Sequence, residues 1–203
     1  SDVYKSQAQN GGKPFPAEKF VNKIPVKKHD HVLIPAGTVH CSGADTMVLE
    51  ISATPYIFTF KLWDWGRVDL DGKPRPIHLE HGAANIQWYR NTEWVHRNLV
   101  NAVAEVYTGE NGTVVRTGLH EREFLDTFRF TTSSTLPVHR NVSVHMLNLV
   151  DGTRAVLRSK SDAFPPLELH YAETCIVPQA AGDYEISSPD GSEVKVILAC
   201  VRN

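Results

Sequence analysis

The sequence is poor in the features that most quickly place a protein. Its 203 residues include three cysteines, Cys41, Cys175 and Cys200, far apart and with no CxxC pair. An odd, dispersed set argues against a disulfide framework or a cysteine-built zinc module and for reduced thiols. No apolar run approaches the roughly 20 residues that a bilayer-spanning helix needs, and no signal peptide opens the chain, so a cytoplasmic protein without a membrane partner is expected. Neither charge sign dominates: 21 Lys and Arg stand against 23 Asp and Glu, a formal net charge of -2. That balance gives no basic footprint, and no nucleic-acid partner is expected. The chain also lacks an initiator methionine, which is the expectation for a trimmed or recombinant piece.

What is present is ordered-protein composition, 41% hydrophobic and 22% charged, in a chain long enough to bury a real core. Residues 1 to about 16 are polar and glycine-rich and read as a flexible lead-in. From Val26 onward, apolar and polar residues alternate with the period of half-buried strands. Asp71-Gly72, Glu110-Asn111-Gly112, Asp151-Gly152 and Pro189-Asp190-Gly191 punctuate the alternation. The last two predict hairpins joining 142–150 to 155–158 and 184–187 to 194–201. One helix is predicted over 93–107, where Trp94, Leu99, Val103 and Val106 share a face. Many short strands at this spacing predict an all-β fold, a sandwich or barrel, with few short helices.

The stretch from Val32 to Arg67 concentrates the chemistry. Val32-Leu33-Ile34 reads as a strand that stops at Pro35-Ala36-Gly37, a proline–glycine turn, and His40 follows at the start of a new extended segment. A strand over 46–51 then carries Glu50, and an aromatic and apolar strand over 56–63 carries a single cation, Lys61. An imidazole, a carboxylate and an ammonium on consecutive short strands are expected to converge inside a barrel. A fainter echo occurs later. Val177-Pro178 through Gly182-Asp183 repeats the order of Ile34 to His40, an apolar strand end, Pro, small residues and Gly. It has Asp183 where His40 would fall.

The residues Ile34-Pro35-Ala36-Gly37-Thr38-Val39-His40, Leu49-Glu50, Trp63-Asp64-Trp65-Gly66-Arg67-Val68-Asp69 and Gly72-Lys73-Pro74-Arg75 resemble those of the class I mannose-6-phosphate isomerases, metal-dependent enzymes of the cupin superfamily. The resemblance is dense from about 24 to 82 and thinner through 142–201, which looks like the family's C-terminal cupin. It implies cupin-like jelly-roll barrels in two related halves: 1–108, the C-terminal part of a metal-site cupin domain plus a connector helix, and 109–203, a second, structural cupin-like domain. It implies zinc as the cofactor, with His40 as the last of four metal ligands. Glu50 matches a carboxylate close to the bound sugar, and Lys61 aligns with a catalytic arginine. A sugar phosphate is the implied partner, and oligomerisation is compatible with the family. Two departures stand out. The family's Gln, first His and Glu ligands lie upstream of the stretch represented here, and the arginine is a lysine, with one extra residue in the loop before it. Lysine keeps the charge and loses the planar fork.

Aldose–ketose isomerisation moves a proton between C1 and C2. That requires a polarised carbonyl, a carboxylate to carry the proton and a cation for the developing negative charge. His40, Glu50 and Lys61 match those needs in order. Blander roles are available to each: a hydrogen-bonded turn histidine, a surface strand end, and a lysine snorkelling from an aromatic strand. His29 and His31 are expected to be solvated, His78 and His81 to sit on a strand edge, and His139 and His145 to be structural. The four tryptophans read as packing, with sugar stacking as the alternative. A non-catalytic cupin module that binds a sugar or sugar phosphate is the first rival to the enzyme. A purely structural cupin that assists oligomerisation is the second.

Overall fold

A computed structural model of the chain describes residues 15–52, 59–139 and 143–202. The expected lead-in up to residue 14 and the start of the expected strand 56–63 lie outside them. Two compact units are present: residues 15–49 with 59–100, and residues 101–202 with 50–52.

The second unit holds all the named strands among the described residues, ten in number. These are β1 (Ala104–Gly109), β2 (Gly112–Arg116), β3 (Leu125–Thr132), β4 (Thr135–Val138), β5 (His145–Asp151), β6 (Arg154–Ser159), β7 (Leu167–His170), β8 (Thr174–Val177), β9 (Tyr184–Ser187) and β10 (Val194–Val201). They form two sheets, a six-stranded β1-β2-β3-β10-β5-β8 and a four-stranded β4-β9-β6-β7, with every pairing antiparallel. Alternation explains which faces meet. In β5, His145, Leu147 and Leu149 are buried while Met146 is exposed; in β10, Val194, Val196 and Leu198 are buried. Side chains from Ala155, Leu157, Tyr184 and Ile186 of the smaller sheet complete one core, the arrangement expected when two sheets each offer one apolar face. Pro137 sits in β4, an edge strand, where a missing N–H costs no ladder bond.

The turns correct the predicted hairpins. β5 and β6 flank Asp151-Gly152 but lie in different sheets, as do β9 and β10 around Pro189-Asp190-Gly191. Both turns are therefore corners that carry the chain from one sheet to the other. Local turn chemistry is the same in either case, and only the partner of each strand distinguishes them. Gly152 has φ +87°, and a Cβ there would lie 2.7 Å from Val194 Cγ1, so the corner needs glycine. A real hairpin joins β1 and β2 around the predicted Glu110-Asn111-Gly112 turn, with Gly109 opposite Gly112.

The first unit is built differently. It contains a 3-10 turn (Ala17–Lys19), helix α1 (Leu79–Asn85) and helix α2 (Thr92–Asn98). α2 begins where the Asn91 side chain accepts a hydrogen bond from Trp94 N at 3.0 Å, an N-cap. It ends at Leu99, which is 2% exposed, and Asn101 then takes φ +52°. The helix predicted over 93–107 is thus half as long as expected, because its C-terminal half, rich in β-branched residues, enters β1. The strands expected at 32–34 and 46–51 do not form ladders. Val32 makes an isolated antiparallel bridge to Val100, Leu33 N donates to Leu99 O at 2.9 Å, and 46–51 is neither helix nor strand. Apolar alternation marks residues able to pair, and a strand forms only where a neighbour supplies the other half of the ladder. The turn at Asp71-Gly72 is as expected: Val68 bridges Pro74 and Asp69 N donates to Lys73 O at 2.8 Å.

Candidate functional site

Pro35 is buried, and Thr38 N donates back to its carbonyl at 3.2 Å, closing the turn. Gly37 takes φ +82°, and a Cβ on it would lie 2.5 Å from Asn85 O and 2.8 Å from Gln87 Cγ. Gln87 N donates to Gly37 O at 3.0 Å. The turn is thus pressed against the segment that leaves α1, and only glycine fits there.

His40 emerges from this turn with its ring exposed and Nδ1 2.9 Å from the Thr38 carbonyl oxygen. A carbonyl only accepts, so Nδ1 carries the proton in this hydrogen bond. In the neutral ring the lone pair is then on Nε2. A metal-ligating histidine is commonly oriented this way, one nitrogen on a backbone carbonyl and the other toward the ion.

Lys61 is exposed and holds a different kind of partner. Its backbone N donates to His78 Nδ1 at 3.2 Å, and His78 N donates to Lys61 O at 2.7 Å. His78 is therefore tied up by the backbone of the 61–78 pairing, and Phe60 stacks on His81 at 6.0 Å between ring centroids. The Lys61 ammonium makes no ion pair among the described residues. Glu50 is exposed. No hydrogen bond among the described residues joins His40, Glu50 or Lys61 to one another. Nor do those residues contain a group of three or more His, Cys, Asp or Glu side chains arranged to hold a metal ion.

A cleft of about 420 Å³ is lined by Phe15, Asn22, Lys23, Trp65 and Cys41, the residue that follows His40 in the chain. Trp65 is 60% exposed and takes φ +56°. Asp64 before it is buried and pairs with Arg75 at 3.5 Å, which closes the Trp63–Arg75 hairpin on itself. Of the other histidines, His29 and His31 are half-buried, not fully solvated. His29 adopts φ +71° in a turn closed by Asp30 N on Lys27 O. His145 is 4% exposed and 2.9 Å from the Tyr184 hydroxyl, and burial pushes the Tyr184 phenol up and the His145 imidazole down in pKa.

One residue that holds the turn before His40 was missed by sequence reading: Arg90. Its Nη1 donates to Pro35 O at 3.1 Å, Ala36 O at 2.7 Å and Thr38 Oγ1 at 2.6 Å. A lone arginine some fifty positions from the turn carries no local signal.

The fold defines a class first: a predominantly β protein of the cupin barrel type. No family model matches the chain. A crystal structure of the mannose 6-phosphate isomerase from Bacillus subtilis superimposes with a TM-score of 0.51 at 13% identity, covering 69% of this chain and 39% of that one. At that identity the likeness is one of fold. Sequence similarity then points to particular proteins. A mannose-6-phosphate isomerase of Streptococcus mutans is 35% identical over 63 residues, 31% of this chain and 20% of that protein. The mannose-6-phosphate isomerase ManA of Bacillus subtilis is 33% identical over 70 residues, 34% of this chain and 22% of that protein. The chain therefore matches about a fifth of the length of these relatives. Over about a third of its own length it is similar to mannose-6-phosphate isomerases, as its motifs led us to expect. No helix among the described residues is long and apolar enough to cross a membrane.

Proposed function

We propose that this chain is part of a metal-dependent sugar-phosphate isomerase interconverting mannose 6-phosphate and fructose 6-phosphate. The observation that carries the reading is His40. It is an exposed imidazole on a rigid Pro-Gly turn, with Nδ1 committed to Thr38 O and the Nε2 lone pair left for a ligand. The similarity to mannose-6-phosphate isomerases supports the same reading.

His40 fits one position of a mixed nitrogen and oxygen site, and a divalent ion such as zinc would be completed by donors beyond the described residues of this chain. When bound, such an ion polarises the sugar carbonyl. Glu50 is assigned the proton, taking it from one of C1 and C2 and returning it to the other. Lys61 is assigned the charge, its ammonium facing the oxygen on which negative charge develops or the substrate phosphate. As a point charge on a flexible stem, it holds that oxygen less rigidly than an arginine fork. The exposed Trp65 that lines the cleft offers a face for the sugar ring.

The test is made on the longest natural form of the protein, by elemental analysis for bound metal alongside a mannose 6-phosphate to fructose 6-phosphate assay. Stoichiometric metal is expected, and His40→Ala is expected to lower turnover by more than the about 10–100-fold that losing a ligand's hydrogen-bond partner costs. Metal with sugar-phosphate binding and no turnover in the wild-type protein would replace the isomerase with the non-catalytic binding module.

A further inference from the structure

Arg90 lies on the short segment between α1 and α2 and is half-buried. Its guanidinium carbon is 5.4 Å from the centroid of the Tyr89 ring and 5.4 Å from that of Trp94. The two rings meet edge to face at 5.5 Å. Both rings lie within cation–π reach of the guanidinium, and the Asn91 cap fixes the residues around Trp94. From that position one nitrogen, Nη1, serves three acceptors of the Pro35–Thr38 turn. Nε is buried without a hydrogen-bond partner among the described residues. A buried N–H left unpaired is costly, so the side chain is held by what Nη1 grips, and what it grips is the turn bearing His40.

The consequence reaches the imidazole through Thr38. Arg90 takes the Thr38 hydroxyl, while the Thr38 carbonyl receives His40 Nδ1. One residue's side chain and backbone thus link the guanidinium to the ring. With the Pro35 and Ala36 carbonyls also held, the Thr38 peptide plane has little freedom. We infer that Arg90 is a positioning residue for His40, fixing the imidazole in its Nδ1–H tautomer and so presenting Nε2 as the ligating nitrogen. The part of this inference that concerns ligation rests on the function proposed above; the tautomer does not.

The experiment therefore reads the two separately. In the whole chain without added metal, the ring nitrogens of His40 are observed by long-range proton–nitrogen NMR at mildly alkaline pH, the signal being assigned by its loss in His40→Gln. The wild type shows the Nδ1–H form. Arg90→Ala shifts the ring to the mixture rich in Nε2–H that free imidazole prefers. Arg90→Lys, whose ammonium can serve the same three acceptors without the stacking, recovers part of the Nδ1–H signal. A purely structural arginine would leave the tautomer unchanged while the backbone amides of Leu33 and Gln87 keep their shifts, and that result overturns the inference. Should Arg90→Ala disorder the unit, Thr38→Val removes only the hydroxyl contact: a partial tautomer shift supports the link and an unmoved ring overturns it. Zinc titration of the longest natural form then tests ligation, with a loss of affinity of about 10–100-fold expected for Arg90→Ala. A tautomer shift in a protein that binds no zinc leaves Arg90 as the positioning residue and removes the metal reading alone.

Discussion

Two proline turns in this chain share a design and differ in what holds them. In each, an amide donates to the proline carbonyl three residues back, Thr38 to Pro35 and Ala181 to Pro178, and a glycine with positive φ follows the proline. The later turn is fixed by packing. Val177 and Ala181 are buried, Tyr184 is 1% exposed, and all three belong to the core of the β-sandwich. The earlier turn is fixed by polar groups: Arg90 on its carbonyls, Gln87 N on Gly37 O, and Thr38 O under the histidine ring. At the corresponding place the later turn offers Asp183, whose carboxylate lies 3.3 Å from His139 Nδ1. A turn held by apolar packing is stable with its polar side chains turned to surface duties. One held by directed hydrogen bonds also orients the side chain that follows, as a ligand position requires.

That contrast is broken most severely in the packed unit. Leu157 is fully buried between the sheets, and Leu157→Ala is expected to destabilise the sandwich by about 2–5 kcal/mol, the range for a core leucine. Urea unfolding followed by the far-ultraviolet signal measures it, and a loss below about 1 kcal/mol would mean the core can collapse around the cavity. Gly37→Ala attacks the polar turn instead. Its Cβ meets the Asn85 carbonyl and its φ is left-handed, so about 1–3 kcal/mol of local strain is expected. Faster hydrogen exchange at the amides of Thr38 and Gln87 would report it, and unchanged exchange there would show that the turn is not the constraint described.

The smallest effect is a pH dependence. Burial holds His145 below its ordinary value of 6.5, with the Tyr184 hydroxyl on its ring and Cys200 paired opposite it on β10. The unfolded chain then takes up a proton before the folded one does. The stability of this unit is full above the ordinary histidine pKa and declines as pH falls through it toward the lower folded value. Unfolding free energies at about pH 7.5 and about pH 5.5 should differ less in His145→Gln than in the wild type. Equal differences would assign the acid sensitivity to other groups.

Much of the second unit was legible beforehand. The alternations in 145–149 and 194–198 identify the residues that are buried, because a strand's period of two commits each side chain to one face. The Pro-Gly turn before His40 was legible for a similar reason, since local dihedral demands are written in residue types. Three things were not. The corners at Gly152 and Gly191 read as hairpins, because sequence specifies a reversal without naming the sheet that the next strand joins. The segment 46–51 read as a strand, although pairing is decided by a neighbour. Arg90 was invisible, since a contact across some fifty residues leaves no local pattern.

The sequence alone determined the strand faces, the rigid turn at Pro35-Gly37 and the resemblance that assigns roles to His40, Glu50 and Lys61. These follow from stereochemistry within a few residues. Tertiary structure decided which strands share a sheet, how far α2 extends, and that Arg90 reaches the turn before His40. Each of those depends on groups distant in the chain meeting in space: backbone amides finding carbonyls, a helix end meeting a strand, and a guanidinium reaching the carbonyls of a turn.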